Sequence, residues 1–351
     1  MRWKGAMLGV AVVGAAAMVA AGCGTIQYYA QAVGGHLAVM AAAKPIDKEL
    51  LDEPTLAPTL KAKLARVLEI RDFAVAELKL PDNGSYRRYA DIGRPYVVWN
   101  VFAAEEFSLR PKQSCFPFAG CVAYRGFYAE VDANAHGDVF RKGGDDVFIY
   151  GVTAYSTLGW FDDPVLNTFI GFAEAELARI IFHELAHQVV YTKDDSIFNE
   201  SFAVAVEEEG VRRWIARFGT EAQMRGYEAG RQRRTEFVAL IAKYQKLLGD
   251  AYATDLPPAI KRAEKVRLFA ALRAEYQIMK NETWGGFTGY DRWFAQDLNN
   301  AHLASVATYG DLVPAFRALL AKNNSDIAGF YREVKALAAR PKAERLKELG
   351  G

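Results

Sequence analysis

The sequence predicts an α+β fold that is predominantly helical, with a small mixed sheet ahead of a C-terminal helical bundle. Three observations lead there. Aromatic and β-branched runs are concentrated between residues 96 and 152, which is the composition of strands. From Asp163 onward, apolar residues recur at helical spacing among charged ones. After residue 43 there is no internal repeat and no Pro-, Gly- or Ser-rich linker that would divide the chain. One domain over 23–351 follows, with N-terminal helices to about 95, the sheet over about 96–160 and the helical part over about 161–351. The 351 residues carry a net charge of +1 and no basic stripe, so nucleic acid is not an expected partner.

Residues 1–22 stand apart. MRWKGAMLGVAVVGAAAMVAAGC places Arg2 and Lys4 before an uncharged apolar run, then small residues, then Cys23. This is the pattern of a secretory signal followed by a lipidation cysteine. It resembles a bacterial lipobox, with Ala20 where leucine is more usual. A plain membrane-spanning anchor is the alternative, but the run ends on Gly-Cys without a basic flank. Gly24 follows the cysteine, and by resemblance to Gram-negative lipoproteins this favours the outer membrane. The expected location is therefore the cell envelope, on its periplasmic face, held by a lipid on Cys23.

The elements follow in order. TIQYYAQAVGGHLAVMAAAK (25–44) is an apolar helix that lies near the membrane or packs on the body. Residues 55–80 form an amphipathic helix, which PDNGSYRRY breaks. Residues 96–107 and 122–131 read as strands, 132–144 as a short helix closed by Gly143 and Gly144, and 146–152 as a third strand. Cys115 and Cys121 are an even pair in an exported chain, so a disulfide is expected, and their spacing does not suit a second zinc. A helix from Asp163, with Asp163 as N-cap and Pro164 at its first position, runs to Tyr191. The next covers 196–219, capped by Asp194 or Asp195 and stopped by Gly219. Two long charged helices cover 220–250 and 258–280. Residues 284–316 read as loop-rich, and the charged end from Ala338 as a solvated tail.

The chemistry lies in IIFHELAHQVVYTKDDSIFNESFA (180–203). His183 and His187 stand four apart, so a helix presents both rings on one face, close enough to share one tetrahedral Zn²⁺. Glu184 falls about 100° around the helix from His183, beside the ion, where it can hold a water as base. A catalytic zinc keeps three protein ligands and one open position. Glu200, 13 residues past His187, is the candidate third ligand. About one helical turn on each side of a reversal at TKDDS would bring the two to one height. The alternative is an amphipathic helix carrying two histidines for packing; the apolar Ile180, Ile181 and Phe182 together with a suitably placed Glu200 favour the metal. Glu207, Glu208 and Glu209 read as a solvated face, with a supporting contact behind a ligand as the alternative.

HELAH followed by NESFA resembles the gluzincin metallopeptidases, in which a downstream glutamate completes the metal site. NESFA (199–203) is similar to the N-E-G-F-A of zinc aminopeptidases. The longer stretch from GVTAYSTLGWFDDPVLNTF to FNESFA resembles a family of bacterial exported proteins called predicted aminopeptidases. The resemblance implies a zincin fold, one zinc per chain and peptide hydrolysis. It carries over His183, His187 and Glu200 as ligands and Glu184 as base. The gap to the third ligand is shorter than in well-known gluzincins, and no G-x-M-E-N segment is present. An envelope endopeptidase and a non-catalytic zinc-binding scaffold are the rival readings. FIYGVTAY is either an edge strand that pairs with extended substrate or an ordinary edge of the sheet. Asp162 and Asp163 could attract a substrate amine, although capping already accounts for Asp163. Tyr155, Tyr309, His302 and Arg125 are the candidates for contacting the transition state or the substrate, and nothing in the sequence selects among them.

Overall fold

The computed structural model describes residues 27–116, 120–307 and 312–350. The leader, Cys23 and Tyr309 lie outside these. The chain is α+β and predominantly helical. It begins with α1 (27–42), β1 (Lys44–Pro45), α2 (Lys48–Asp52), α3 (Pro58–Ala76) and β2 (Arg88–Ala90). β3 (Val98–Ala104), β4 (Ser114–Phe116), β5 (Gly120–Val122), β6 (Arg125–Phe127), α4 (Glu130–Lys142) and β7 (Asp146–Val152) follow. Then come β8 (Val165–Leu166), α5 (Asn167–Ile170), α6 (Glu174–Ala186), α7 (Ser196–Phe218), α8 (Glu221–Tyr252) and α9 (Pro258–Ile278). A π-turn at Met279–Thr283 precedes α10 (Asp291–Phe294), α11 (Asn300–Ala307), α12 (Val313–Lys322), α13 (Ile327–Ala338) and α14 (Lys342–Glu348).

The expected small sheet proves to be two sheets and a hairpin. β6, β3 and β7 form a wholly antiparallel sheet in that order. Strand alternation sends Trp99, Val101 and Ala103 to one face, against Ala133 of α4. Phe102 goes to the other face, where it packs with Phe148 and Ala301 of α11. Both faces are therefore covered, and the outer edge of β7 pairs with no other strand among the described residues. The mixed sheet is a separate one, β1-β2-β8, antiparallel then parallel. β4 and β5 form a hairpin in which Cys115 and Cys121 are opposed and joined by the expected disulfide.

The largest apolar core gathers α3, α6, α7, α12 and α13, with Phe182, Phe198, Phe202, Phe316 and Phe330 fully buried. Truncating such a phenylalanine typically costs about 3–5 kcal/mol, so the residues flanking this core sit on a rigid base. A second cluster lies between α8, α9 and α10. α6 and α7 pack antiparallel: Glu174 accepts a hydrogen bond from Trp214 at 2.8 Å at one end, and His187 meets Glu200 at the other. Gly210 permits the close approach, since a Cβ there would stand 2.6 Å from the Phe182 ring.

Several expectations fail here for physical reasons. Asp163 caps no helix; its carboxylate accepts from the amide and hydroxyl of Thr157, at 2.8 and 3.0 Å. Val165 and Leu166 pair with β2, so the metal-motif helix starts at Glu174. That helix also ends at Ala186, with His187 at its C-cap rather than a turn inside it. Finally, the charged tail is docked. The Arg345 guanidinium donates to Asp195 at 2.6 Å, and both side chains are buried. Part of the stretch read as loop-rich is helical, as α10 and α11.

Candidate metal centre

α6 and α7 each bring one piece of the centre. His183 lies in the last turn of α6 and His187 caps it, so the four-residue spacing keeps their rings together, 4.9 Å between centroids. Glu200 lies in the first turns of α7. The link between the helices is pinned beside it. Asn199 accepts from the Thr192 amide and donates to the Thr192 carbonyl, both at 2.8 Å. Asp195 caps α7 by accepting from the Phe198 amide. The Asn and Glu of NESFA thus have separate tasks: one fixes the turn, the other faces the histidines.

His183 Nε2 lies 3.2 Å from His187 Nε2 and 3.2 Å from Glu200 Oε2, and His187 Nε2 lies 3.7 Å from Glu200 Oε2. One donor atom from each residue falls within 4.8 Å of the others. Two ligands on a tetrahedral zinc with bonds of about 2.0–2.1 Å are themselves about 3.3 Å apart. The three observed separations therefore approximate one face of such a tetrahedron, and two imidazoles with a carboxylate are a suitable donor set for zinc.

Behind the donors lies Glu207, which the sequence placed in a solvated run. It is 1% exposed. Its carboxylate bonds His183 Nδ1 at 2.8 Å, and Arg179 and Arg234 reach it at 3.1 and 3.4 Å. This bond occupies Nδ1 and leaves Nε2 for a metal. Glu208 and Glu209 are committed to Arg317 and to Arg212 and Arg213. The spacing could have revealed Glu207, because it stands seven residues after Glu200 and shares its helix face. His187 Nδ1 is buried without a hydrogen-bond partner among the described residues.

The electrostatics suit a cation. Burial opposes a charged His183, but Glu200 and Glu207 outweigh it and push that imidazole up, while burial pushes His187 down. The Glu207 carboxyl is held at about 2 despite burial, chiefly by Arg179 and His183. Glu184 lines the cleft. Its burial, with the charges of Glu200 and Asp163, pushes its carboxyl up to about 7 against the pull of His183 and Arg179.

The centre opens into a cleft of about 440 Å³. Of the four weak candidates, Tyr155 lines it, with its hydroxyl 2.8 Å from His36 Nδ1. Arg125 does not line it; its guanidinium sits 3.7 Å over the Tyr28 ring. His302 stacks on Phe148 at 4.0 Å and lines a different groove, of about 1220 Å³, along the outer edge of β7. Tyr309 lies outside the described residues. Tyr124, which the sequence did not single out, also lines the cleft. Burial and then the charges of Glu200 and Glu184 push its phenol well up, so it stands neutral in the cleft that both carboxylates line. No local signal marks it: it stands in the bend between β5 and β6, where its ring packs 5.3 Å from that of Phe102, a residue distant in sequence. Phe116 and Val122 of the disulfide-closed hairpin form another wall, fixed to the α6–α7 link where the Cys121 amide donates to Asp194.

A family model described as "Putative aminopeptidase" matches residues 27–349. No curated protein and no solved structure matches the chain. The chain belongs to this putative aminopeptidase family, and the match spans both helices of the centre and the walls of the cleft.

Proposed function

We propose that the chain is a zinc-dependent metallopeptidase with a gluzincin-type centre on a zincin-like fold, and that it releases amino-terminal residues from peptides. We further propose that it works at the periplasmic face of a bacterial envelope, anchored by a lipid on Cys23, with the outer membrane favoured by the residue after that cysteine. The observation that carries the activity is the convergence of His183, His187 and Glu200 donor atoms on one tetrahedral face. These three residues would hold the ion, and Glu207 would orient His183. A zinc ion bound there supplies Lewis-acid polarisation of a carbonyl and activation of water.

The remaining steps belong to the chain's own groups. Glu184 takes the proton of the attacking water and returns it to the leaving amine. Tyr124 donates a hydrogen bond to the developing oxyanion. It suits this better than Tyr155, because the charges of Glu200 and Glu184 act on its phenol while the Tyr155 hydroxyl is engaged by His36. Tyr124→Phe is expected to lower kcat about 10²-fold or more with KM little changed, as for loss of an oxyanion donor. A variant with raised KM and unchanged kcat would assign Tyr124 to substrate binding.

One observation favours an endopeptidase as the second reading. Among the described residues lining the cleft, the only carboxylates are Glu184 and Glu200. Both are committed to the reaction, which leaves none for a substrate ammonium. The deciding experiment measures zinc in wild type and Glu200→Ala and digests a library of free-amine and acetylated peptides. One zinc per chain, lost in Glu200→Ala, with stepwise cleavage from free amino ends, is the expected result. Internal cleavage of acetylated peptides would establish the endopeptidase. Zinc retained without Glu200 would remove it as a ligand. Zinc with no cleavage of either peptide set would leave a binding scaffold.

A further inference from the structure

The described part of the chain opens on a helix with an unusual outer face. No charged residue occurs between Lys4 and Lys44, so α1 is uncharged throughout. Its inner face packs on the body: Tyr28 under Arg125, Gln31 accepting from the Tyr128 amide at 3.0 Å, and His36 bonded to Tyr155. Its outer face presents Tyr29, Val33 and Leu37, spaced by four and so on one side of the helix. Val33 is 58% and Leu37 56% exposed. The patch continues onto a neighbouring loop. The His36 ring lies 4.5 Å from that of Phe161, and the adjacent Trp160 is 76% exposed. Large apolar groups on water in such a continuous patch mark an interaction surface.

We propose that this patch docks on a lipid bilayer, with α1 lying in the plane of the interface. The inference rests on the lipid-anchored reading above. The chain itself indicates the occupant. The uncharged apolar run of residues 5–22 and the candidate lipidation site at Cys23 end only a few residues before α1. The inner face of α1 is packed on the body, so α1 lies on a bilayer rather than through it. Tyr, Trp and aliphatic side chains on one helix face and its neighbouring loop suit the boundary between headgroups and acyl chains.

The consequence concerns substrate access. Tyr28 and Ala32 on the inner face of α1 line the metal cleft, as do Tyr155, Ser156 and Leu158 of the loop that carries Trp160 and Phe161. The walls of the cleft and the docking patch are therefore opposite sides of the same two elements. Docking brings these walls of the cleft close to the membrane surface and favours peptides presented there.

The test uses the full lipidated chain with single cysteines introduced as Val33→Cys, Leu37→Cys or Trp160→Cys and labelled with an environment-sensitive NBD fluorophore. Cys115 and Cys121 are bonded to each other and do not compete for label. Val139→Cys on α4, exposed and outside the patch, is the reference. On phosphatidylethanolamine–phosphatidylglycerol vesicles, labels at 33, 37 and 160 are expected to shift to the blue and lose most of their emission to doxyl-acyl lipids, with position 139 unchanged. A Val33→Glu/Leu37→Glu variant should lose the quenching at 160 and still cleave a soluble peptide in detergent, which shows that it folds. Vesicles that float with the protein while all patch labels stay unquenched would overturn the docking surface and leave the lipid anchor standing. A chain that neither floats nor responds would remove both. Equal quenching at 139, or a concentration-dependent shift without vesicles that marks a second copy as the partner, would also overturn the proposal.

Discussion

Glu184→Gln is expected to bind zinc as the wild type does, to melt at the same temperature, and to lose about 10²–10⁴-fold in kcat, the contribution usual for a positioned general base. The geometry argues for each part separately. Glu184 follows His183 on α6 and lines the cleft, but it is not among the three residues whose donor atoms converge. Metal retention should therefore be complete. Glutamine keeps the shape and can still accept a hydrogen bond, so packing against the cleft floor is preserved. It cannot take up a proton at any working pH, so the loss should fall on kcat and leave KM close to its original value. Zinc analysis, thermal melts and steady-state kinetics on one preparation separate these effects. A variant that loses its zinc would make Glu184 a ligand, and one that keeps wild-type turnover would remove the base from the mechanism.

The reach of the sequence divides along the line between local and non-local causes. His183, Glu184 and His187 were legible because a helix converts a spacing of four into a shared face, and that requires nothing beyond the helix. Glu200 was legible one step further, since only a short reversal separates the two helices. The disulfide, β3, β7, α4 and α7 were also local matters of composition and capping. What failed was decided elsewhere in the chain. Asp163-Pro164 satisfies every local rule for a helix start, yet Thr157 holds the carboxylate and β2 recruits Val165 and Leu166 as a strand. Strands of two or three residues such as β1, β2 and β8 have too little sequence to show a period, and they exist because remote partners pair with them. Arg345 looked solvated in a charged tail until Asp195, 150 positions away, proved to be its partner. Tyr124 reaches the cleft from the bend between β5 and β6, packed on Phe102 of β3, a contact that its own stretch of sequence does not record.

Glu207 is where a residue read as surface charge carries the second large expected effect. Its replacement should act on the metal and on the fold by different routes. Glu207→Ala removes the acceptor on His183 Nδ1, so the imidazole is free to rotate and to change tautomer. Zinc affinity is expected to fall about 10–100-fold, the usual consequence of losing a partner behind a ligand. The same change strips Arg179 of a buried counter-charge and leaves it with Glu176, at a cost of about 1–3 kcal/mol in the metal-free protein. Glu207→Gln separates the routes, because its amide oxygen can still accept from His183 while the charge that pairs with Arg179 and Arg234 is gone. The order of zinc affinity should be wild type, then Gln, then Ala, measured by competition with a chelator at fixed pH. Stability without metal should drop for both variants, whereas kcat at saturating zinc should stay within several-fold of wild type, since Glu207 lies behind His183 and does not line the cleft. A purely structural Glu207 would lower the melting temperature and leave the zinc dissociation constant unchanged, and that result would break the link between this carboxylate and the metal.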